Sequence, residues 1–357
     1  MNHLNFAVSG NSFRPFSKPG SVPALGGHTY NLERDDAGFF LTKIDPYILP
    51  KKIYGQNINY AARIINTFAD RTNSTGVLLN GEKGSGKTLL IKEVSNKLAE
   101  LGIPTILVNF PFSGTQFASL ISSLEDALIV FDEFDKVYED SEKQDALLTI
   151  LDGTVSSKKL FMLSSNDDSG ISLYLKNRPG RIFYNIAYKG VDADFINEYC
   201  EDNLKNTSEI PQILNLLNVL EVNFDMLQSI VEEMNRYDET LETVLKFLNI
   251  FPNSFSDYLY TISFNGEVIR TFTTISPFAY NDEITSVTTN LSIVPILENK
   301  KIKFYYRNDK TEVGFDLEIY PENITGVKNG TIVYDFGDGI IVDATKKLSK
   351  FDYKKLL

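Results

Sequence analysis

The chain contains no tryptophan, one cysteine and two histidines in 357 residues. With Cys200 alone, an intrachain disulfide is excluded, and the composition suits a reducing compartment. His3 and His28 cannot supply a zinc-type cluster, and no Ser/Cys–His triad can be assembled around them. No apolar run approaches the roughly 20 residues that a membrane-spanning helix needs. The Asn-, Ser- and Pro-rich start has no apolar core of a secretory signal, so the expected location is cytoplasmic, with no membrane partner. A basic excess is also missing: 35 Lys and Arg stand against 47 Asp and Glu, a formal net charge of −12. That balance argues against tight, sequence-independent nucleic-acid binding, which requires clustered basic surface. Lys300, Lys301, Lys303 and Arg307 form a local basic run that reads as a solvated strand face. The length allows two to three domains with substantial cores.

What is present is more specific. Gly81-Glu82-Lys83-Gly84-Ser85-Gly86-Lys87-Thr88 fits the P-loop pattern G-x-x-x-x-G-K-[ST]. It follows the apolar run Gly76–Asn80, read as a buried strand. It opens a segment in which Leu90, Ile91, Val94, Leu98 and Leu101 share one helical face before Gly102. The glycines permit a backbone turn that brings N–H groups to phosphate oxygens, and the helix N-terminus adds partial positive charge. Lys87 would pair with the β/γ-phosphates, while the Thr88 hydroxyl would ligate Mg²⁺.

Ala127–Phe131 is a second buried strand, ending in Asp132-Glu133. Ligands of open α/β sheets bind at the C-terminal strand edge. There Asp132 would hold Mg²⁺, directly or through water, and Glu133 would polarise the attacking water. Leu160–Asn166 repeats the arrangement with a polar tip, where Asn166 can contact the γ-phosphate or orient that water. Asn177-Arg178-Pro179-Gly180-Arg181 follows. Its two arginines suit a phosphoryl transition state and would reach the nucleotide of a neighbouring subunit.

In this order the motifs resemble the AAA family of the AAA+ ATPases over residues 50–250. The most specific part is Leu148–Gly153 through Arg178–Arg181, similar to the family's second region of homology. The resemblance implies an α/β P-loop NTPase core at 51–190, a parallel sheet with flanking helices, and a helical lid at 191–251. It implies that residues 81–88 bind ATP with Mg²⁺ on Thr88 and Asp132, and that Lys87, Glu133 and Asn166 act in catalysis. Arg178 and Arg181 match the trans-acting arginine fingers, and Tyr54 and Gly55 match the adenine pocket. The implied assembly is a homo-oligomeric ring, usually a hexamer. The gap between the strand at 104–110 and Ala127 holds one short helix near 116–125, leaving little room for a peptide-gripping pore loop. That shortening, with Leu151–Ser157, looks like the mitochondrial inner-membrane AAA chaperone that moves a folded iron–sulfur protein, although this chain lacks that protein's N-terminal membrane helix.

Residues 1–50, with Pro15, Pro19, Gly20, Pro23, Gly26 and Gly27, read as an irregular, extended arm. Its Phe13, Phe16, Phe39, Phe40 and Tyr47 are too apolar for a solvated tail, so it should pack on its own domain or a neighbour. In the lid, Asn223 is positioned as an N-cap, and Cys200 lies on an apolar stripe. Residues 252–357 read as an antiparallel all-β domain. Tyr258–Phe264 and Glu267–Phe272 flank Asn265-Gly266, Phe315, Leu317 and Ile319 alternate with polar residues, and Asn329-Gly330 marks a second turn. The expected function is ATP hydrolysis coupled to remodelling, assembly or translocation of a protein partner. The alternatives are a nucleic-acid motor or replication loader and a nucleotide-gated structural subunit.

Overall fold

One sheet organises the first half of the chain. Its strands are β1 (Asn5–Ser9), β2 (Ser12–Phe16), β3 (Thr29–Asp35), β4 (Gly38–Ile44), β5 (Thr75–Gly81), β6 (Thr105–Leu107), β7 (Ala127–Phe131), β8 (Lys159–Ser165) and β9 (Tyr184–Tyr188). They lie in the order β1-β2-β4-β3-β6-β7-β8-β5-β9. From β3 to β9 every pairing is parallel; β1, β2 and β4 are added antiparallel at one edge. The computed structural model describes residues 5–16, 25–145, 147–151, 158–167, 170–176, 181–218, 220–250, 258–264, 266–274, 295–298, 301–304, 324–328, 331–335 and 340–346. The chain divides into two compact units, Met1–Val191 with Asn223–Met226, and Asp192–Val222 with Leu227–Leu357.

The central strands are apolar on consecutive positions because both of their faces are covered. Val77, Leu79, Leu128, Val130, Leu160 and Met162 pack with α1 (Asn57–Asp70) and α2 (Lys87–Glu100) through Ile64, Phe68, Leu90 and Val94. On the opposite face Leu78, Ile129, Phe131, Phe161 and Leu163 meet Phe117 and Ile121 of α3 (Thr115–Ser123). The side chains alternate between these two clusters with the period of the pleat. Among the described residues the unit also holds four shorter helices: α4 (Phe134–Val137), α5 (Ser141–Asp145), α6 (Leu148–Leu151) and α7 (Leu173–Lys176). α1 has no basic residue in its last turn, and Lys158 closes its end from outside, donating to Phe68 O at 2.9 Å and Ala69 O at 3.0 Å.

The N-terminal segment departs from the extended arm its Pro and Gly content suggested. Residues 5–16 and 29–44 are two hairpins continuous with the sheet. Tyr30, Leu32 and Leu41 alternate inward and are buried, the period-two pattern of a half-buried strand. The β3–β4 turn is set by Asp35, whose Oδ1 accepts from Ala37 N at 2.9 Å, and by Gly38 at φ 113°. Pro15 is tolerated because β2 pairs with β4 only at Ser12 and Phe13, so its missing N–H breaks no β2–β4 bond. Arg14 pairs with Asp35 and covers the Phe40 ring at 4.4 Å.

In the second unit, α8 (Ala193–Asn203) starts at Asp192, whose carboxylate accepts from Phe195 N at 2.9 Å. α9 (Ile210–Asn215), α10 (Phe224–Tyr237) and α11 (Leu241–Phe247) follow, and Asn223 caps α10 by accepting from Met226 N at 2.8 Å. Ile196, Cys200, Ile213, Leu227, Ile230 and Val231 are buried. The Cys200 thiol packs in this core, and burial pushes it up to about 11. Downstream lie β10 (Tyr258–Phe264), β11 (Glu267–Thr274), β12 (Pro295–Glu298), β13 (Lys301–Phe304), β14 (Ile324–Lys328), β15 (Thr331–Asp335) and β16 (Ile340–Lys346). Five of these form an antiparallel sheet in the order β11-β10-β16-β15-β14. Tyr258, Tyr260, Ile332, Tyr334, Val342 and Ala344 are buried along it. The β10–β11 hairpin is the one anticipated around Gly266, with a bulge between Ile262 and Ser263. The expected turn at 329–330, the alternation at Phe315–Ile319, and Lys300 and Arg307 of the basic run lie outside the described residues.

Lys159 is the energetic anomaly of the core. It starts β8 at 0% exposure, and its ammonium donates to Leu124 O at 3.0 Å. Burial lowers the ammonium to about 8, with the charge of Asp126 acting in the opposite sense. The unfolded lysine titrates near 10.4. As pH rises from about 8 towards 10.4 the folded chain loses this proton first, so stability climbs through that window. Lys159→Met should abolish the climb. In urea unfolding near pH 7.5 and near pH 10, the wild type should gain on the variant by up to about 3 kcal/mol at the higher pH; a pH-independent difference would contradict this account.

Candidate active site

β5 runs into Gly81, and the loop to α2 turns on glycines with left-handed torsions. Gly86, the N-cap of α2, has φ 97° and no side-chain cap bond. The first turn of α2 holds no acidic residue, so its N–H groups present positive potential to an incoming anion. A side chain at Gly81 would place its Cβ 2.4 Å from Tyr188 O. Within the loop Lys87 is only 6% exposed, and its Nζ donates to Gly81 O at 2.5 Å, Glu82 O at 2.8 Å and Asn166 Oδ1 at 3.0 Å. Burial lowers this ammonium, while Asp132, Asp135, Glu133 and Glu82 act to raise it. Glu82, Lys83 and Thr88 are exposed.

The acidic pair leaves the adjacent edge. Asp132 Oδ1 accepts from the Ser164 hydroxyl, whose oxygen in turn accepts from Glu133 N at 2.9 Å. Glu133 adopts a left-handed backbone, φ 49°, and caps α4. Its carboxylate pairs with Lys136 Nζ at 2.8 Å. Lys136 first, and Asn166 among the lesser causes, hold the Glu133 carboxyl below the usual range, so it is ionised at neutral pH. The Asn166 amide N–H faces both Asp135 oxygens at 3.4 Å. Lys87 and Asn166 are thus bonded directly, and Asp132 and Glu133 are linked to each other through Ser164. Aromatic packing braces the loop: Phe134 and Tyr138 stack at 5.0 Å, and Tyr138 OH donates to Phe112 O at 2.9 Å.

The remaining expected site residues fare differently. Arg181 is 7% exposed and donates to Tyr174 O at 3.1 Å, a buried position rather than that of a side chain presented at the surface. Arg178 lies outside the described residues. Tyr54 is half-buried with Lys52 Nζ 4.8 Å from its ring centroid, and Gly55 is exposed at φ 70°. From this segment it is Asn57 that reaches the P-loop. Its Nδ2 donates to Gly86 O at 3.1 Å and its Oδ1 accepts from Tyr188 OH at 2.8 Å. Asn57 was not singled out in the sequence, because a first-turn Asn carries no pattern; Tyr188 ends an ordinary strand. Tyr47 was read as apolar packing, yet its phenol lies within the field of Asp132. Burial, reinforced by that charge, pushes it up to about 12.

Asn57 therefore ties α1 and β9 to the carbonyl that precedes the Lys87 amide. Asn57→Ala should cost about 1 kcal/mol or more by leaving the part-buried Tyr188 hydroxyl without this partner, while Gly86 O keeps its bond from Leu90 N at 3.1 Å. Asn57→Asp, which keeps an acceptor for Tyr188 but removes the donor to Gly86, should weaken nucleotide binding more than it lowers the melting temperature. Calorimetric unfolding and titration with a fluorescent ATP analogue separate the two effects.

Residues 77–187 match the family model of the ATPase family associated with various cellular activities (AAA). A search of curated proteins found no match. The matched segment begins within β5 and ends within β9, so it takes in the glycine loop, the acidic pair and the Asn166 strand tip. Segment 77–187 is thus similar to the AAA family, and the match supports an AAA-type ATPase domain there.

Proposed function

We propose that the chain is an AAA ATPase that hydrolyses ATP, assembles as a ring and uses the hydrolysis to remodel a protein partner. The observation that carries the hydrolytic part is the bonded pair Lys87–Asn166 gathered with the Ser164-linked Asp132 and Glu133 at the C-terminal edges of adjacent parallel strands. The site fits a phosphate chain, because an uncapped helix start without acidic residues and a buried ammonium held largely by neutral oxygens face the same loop. Among the described residues no group of three His, Cys, Asp or Glu side chains could cage a metal ion. A Mg²⁺ ion here would be held by Thr88 and Asp132 and completed by phosphate and water, the usual manner for this ion. Mg²⁺ would supply charge neutralisation on the phosphates.

The chain's own residues would do the following. Lys87 exchanges its carbonyl partners for phosphate oxygens, and the P-loop amides orient the phosphates. Asn166, freed from Lys87, positions water near the terminal phosphate. Glu133 accepts the proton of that water once its carboxylate leaves Lys136. Arg178 is the finger offered to the neighbouring subunit, with Arg181 holding its turn. Membership of the AAA segment supports the ring, and the acidic net charge favours a protein partner over nucleic acid.

Glu133→Gln should keep ATP binding and lower turnover by about 10²–10⁴-fold; single-turnover hydrolysis at the wild-type rate would sink the assignment. Arg178→Ala should lower turnover by about 10³-fold or more while leaving binding intact. Mixing Arg178→Ala with Glu133→Gln chains should recover activity, since some interfaces then combine an intact Glu133 with an intact neighbouring Arg178. Mixtures as inactive as either variant alone speak against a finger acting between subunits. A pull-down with Glu133→Gln in ATP, against Lys87→Ala as control, tests for a protein partner; equal recovery by both argues against ATP-dependent remodelling.

A further inference from the structure

Ser164 is absent from the motif logic of the site, yet it makes the closest internal link within it. It is 2% exposed at the C-terminal end of β8. A hydroxyl has one proton to give and lone pairs to accept with. The Glu133 amide can only donate, so it takes a lone pair at 2.9 Å, which leaves the Ser164 proton for Asp132 Oδ1. The direction of both bonds is therefore determined, and each polarises the other. One bond fixes the plane of the Asp132 carboxylate. Its partner pins the amide of a non-glycine residue at φ 49°, a conformation that persists only where neighbours enforce it.

We propose that Ser164 is a positioning residue of the hydrolytic site, coupling the metal-binding carboxylate of Asp132 to the backbone that aims Glu133. The inference rests on the hydrolytic reading above and extends it to a residue that touches neither nucleotide nor attacking water. The strand register requires this partnership. Phe131 of β7 lies opposite Leu163 of β8, so the next residues outward are Asp132 and Ser164. An apolar residue at 164 would leave both the carboxylate oxygen and the amide without this partner in a part-buried setting.

The test uses the full chain with Ser164→Ala and Ser164→Thr. Three quantities are read: binding of a fluorescent ATP analogue in EDTA, Mn²⁺ saturation of the nucleotide complex by electron paramagnetic resonance, and kcat with KM at saturating Mg²⁺. In Ser164→Ala, binding in EDTA should match the wild type, the Mn²⁺ half-saturation should rise about tenfold, and kcat should fall about 10–100-fold with KM little changed, the scale at which a ligand's hydrogen-bond partner acts. Ser164→Thr, which keeps the hydroxyl, should restore both. If Ser164→Ala does not fold, Ser164→Cys takes its place, nearly isosteric and a weak donor, with the same expected outcomes. Mn²⁺ saturation and kcat within twofold of wild type overturn the inference alone, as does an equal loss of binding in EDTA, which marks a general packing role. A wild-type chain whose nucleotide binding ignores the cation overturns the hydrolytic reading and this inference together.

Discussion

The site depends on β8 lying between β5 and β7 in parallel register. Asn80 of β5 stands opposite Ser165, and Phe131 of β7 stands opposite Leu163. Three strand ends therefore deliver the glycine loop, Asn166 and the Asp132–Glu133 pair to one edge, although they are far apart in sequence. A slip of one residue in β8 would carry Ser164 to the opposite face and break its bonds to both acidic residues. The apolar alternation that buries Phe161 and Leu163 on one side and Leu160 and Met162 on the other opposes such a slip. Packing far from the edge thus sets the chemistry at the edge.

Electrostatics at that edge are poised rather than neutralised. Lys87 is buried and surrounded by the fields of Asp132, Asp135, Glu133 and Glu82. Its hydrogen bonds, however, go to backbone carbonyls, the Ser85 hydroxyl and Asn166. An ammonium locked in a direct ion pair would have to break it before meeting a phosphate, whereas exchanging carbonyl oxygens for phosphate oxygens replaces neutral acceptors with charged ones. The same geometry ties Asn166 to Lys87, so in the proposed mechanism a phosphate arriving at Lys87 would be felt at the strand tip.

Much of this was legible in the sequence because catalytic needs restrict residue type and spacing together. The P-loop spacing at 81–88, the buried runs ending at Asp132 and Asn166, and the AAA assignment all follow from such restrictions. The N-terminal hairpins were less visible. Pro15 and the glycines masked a period-two pattern at Tyr30, Leu32 and Leu41, and pairing with β6 is a tertiary fact that no local window contains. Asn57 and Tyr188 were invisible for a related reason: Asn57 donates to a backbone carbonyl of a distant loop and accepts from Tyr188, and such contacts leave no mark on residue spacing. Arg181 was readable as a charge but not as a buried one, since its burial and its bond to Tyr174 O are tertiary facts.

Glu133 shows how the fold divides rigidity from freedom. Its amide donates to Ser164, its carbonyl accepts from Lys136 N at 2.9 Å and Val137 N at 3.0 Å, and the Phe134–Tyr138 stack follows directly. The backbone is therefore clamped on both sides in a conformation that would otherwise relax. Its side chain is held differently, by a solvent-exposed ion pair three residues along the chain, the class of contact that water and salt weaken most. In the general-base role proposed for it, Glu133 would have to aim from a fixed point yet move its carboxylate between a resting partner and a water. Strain carried by the backbone and weak pairing carried by the side chain would meet both demands at one residue.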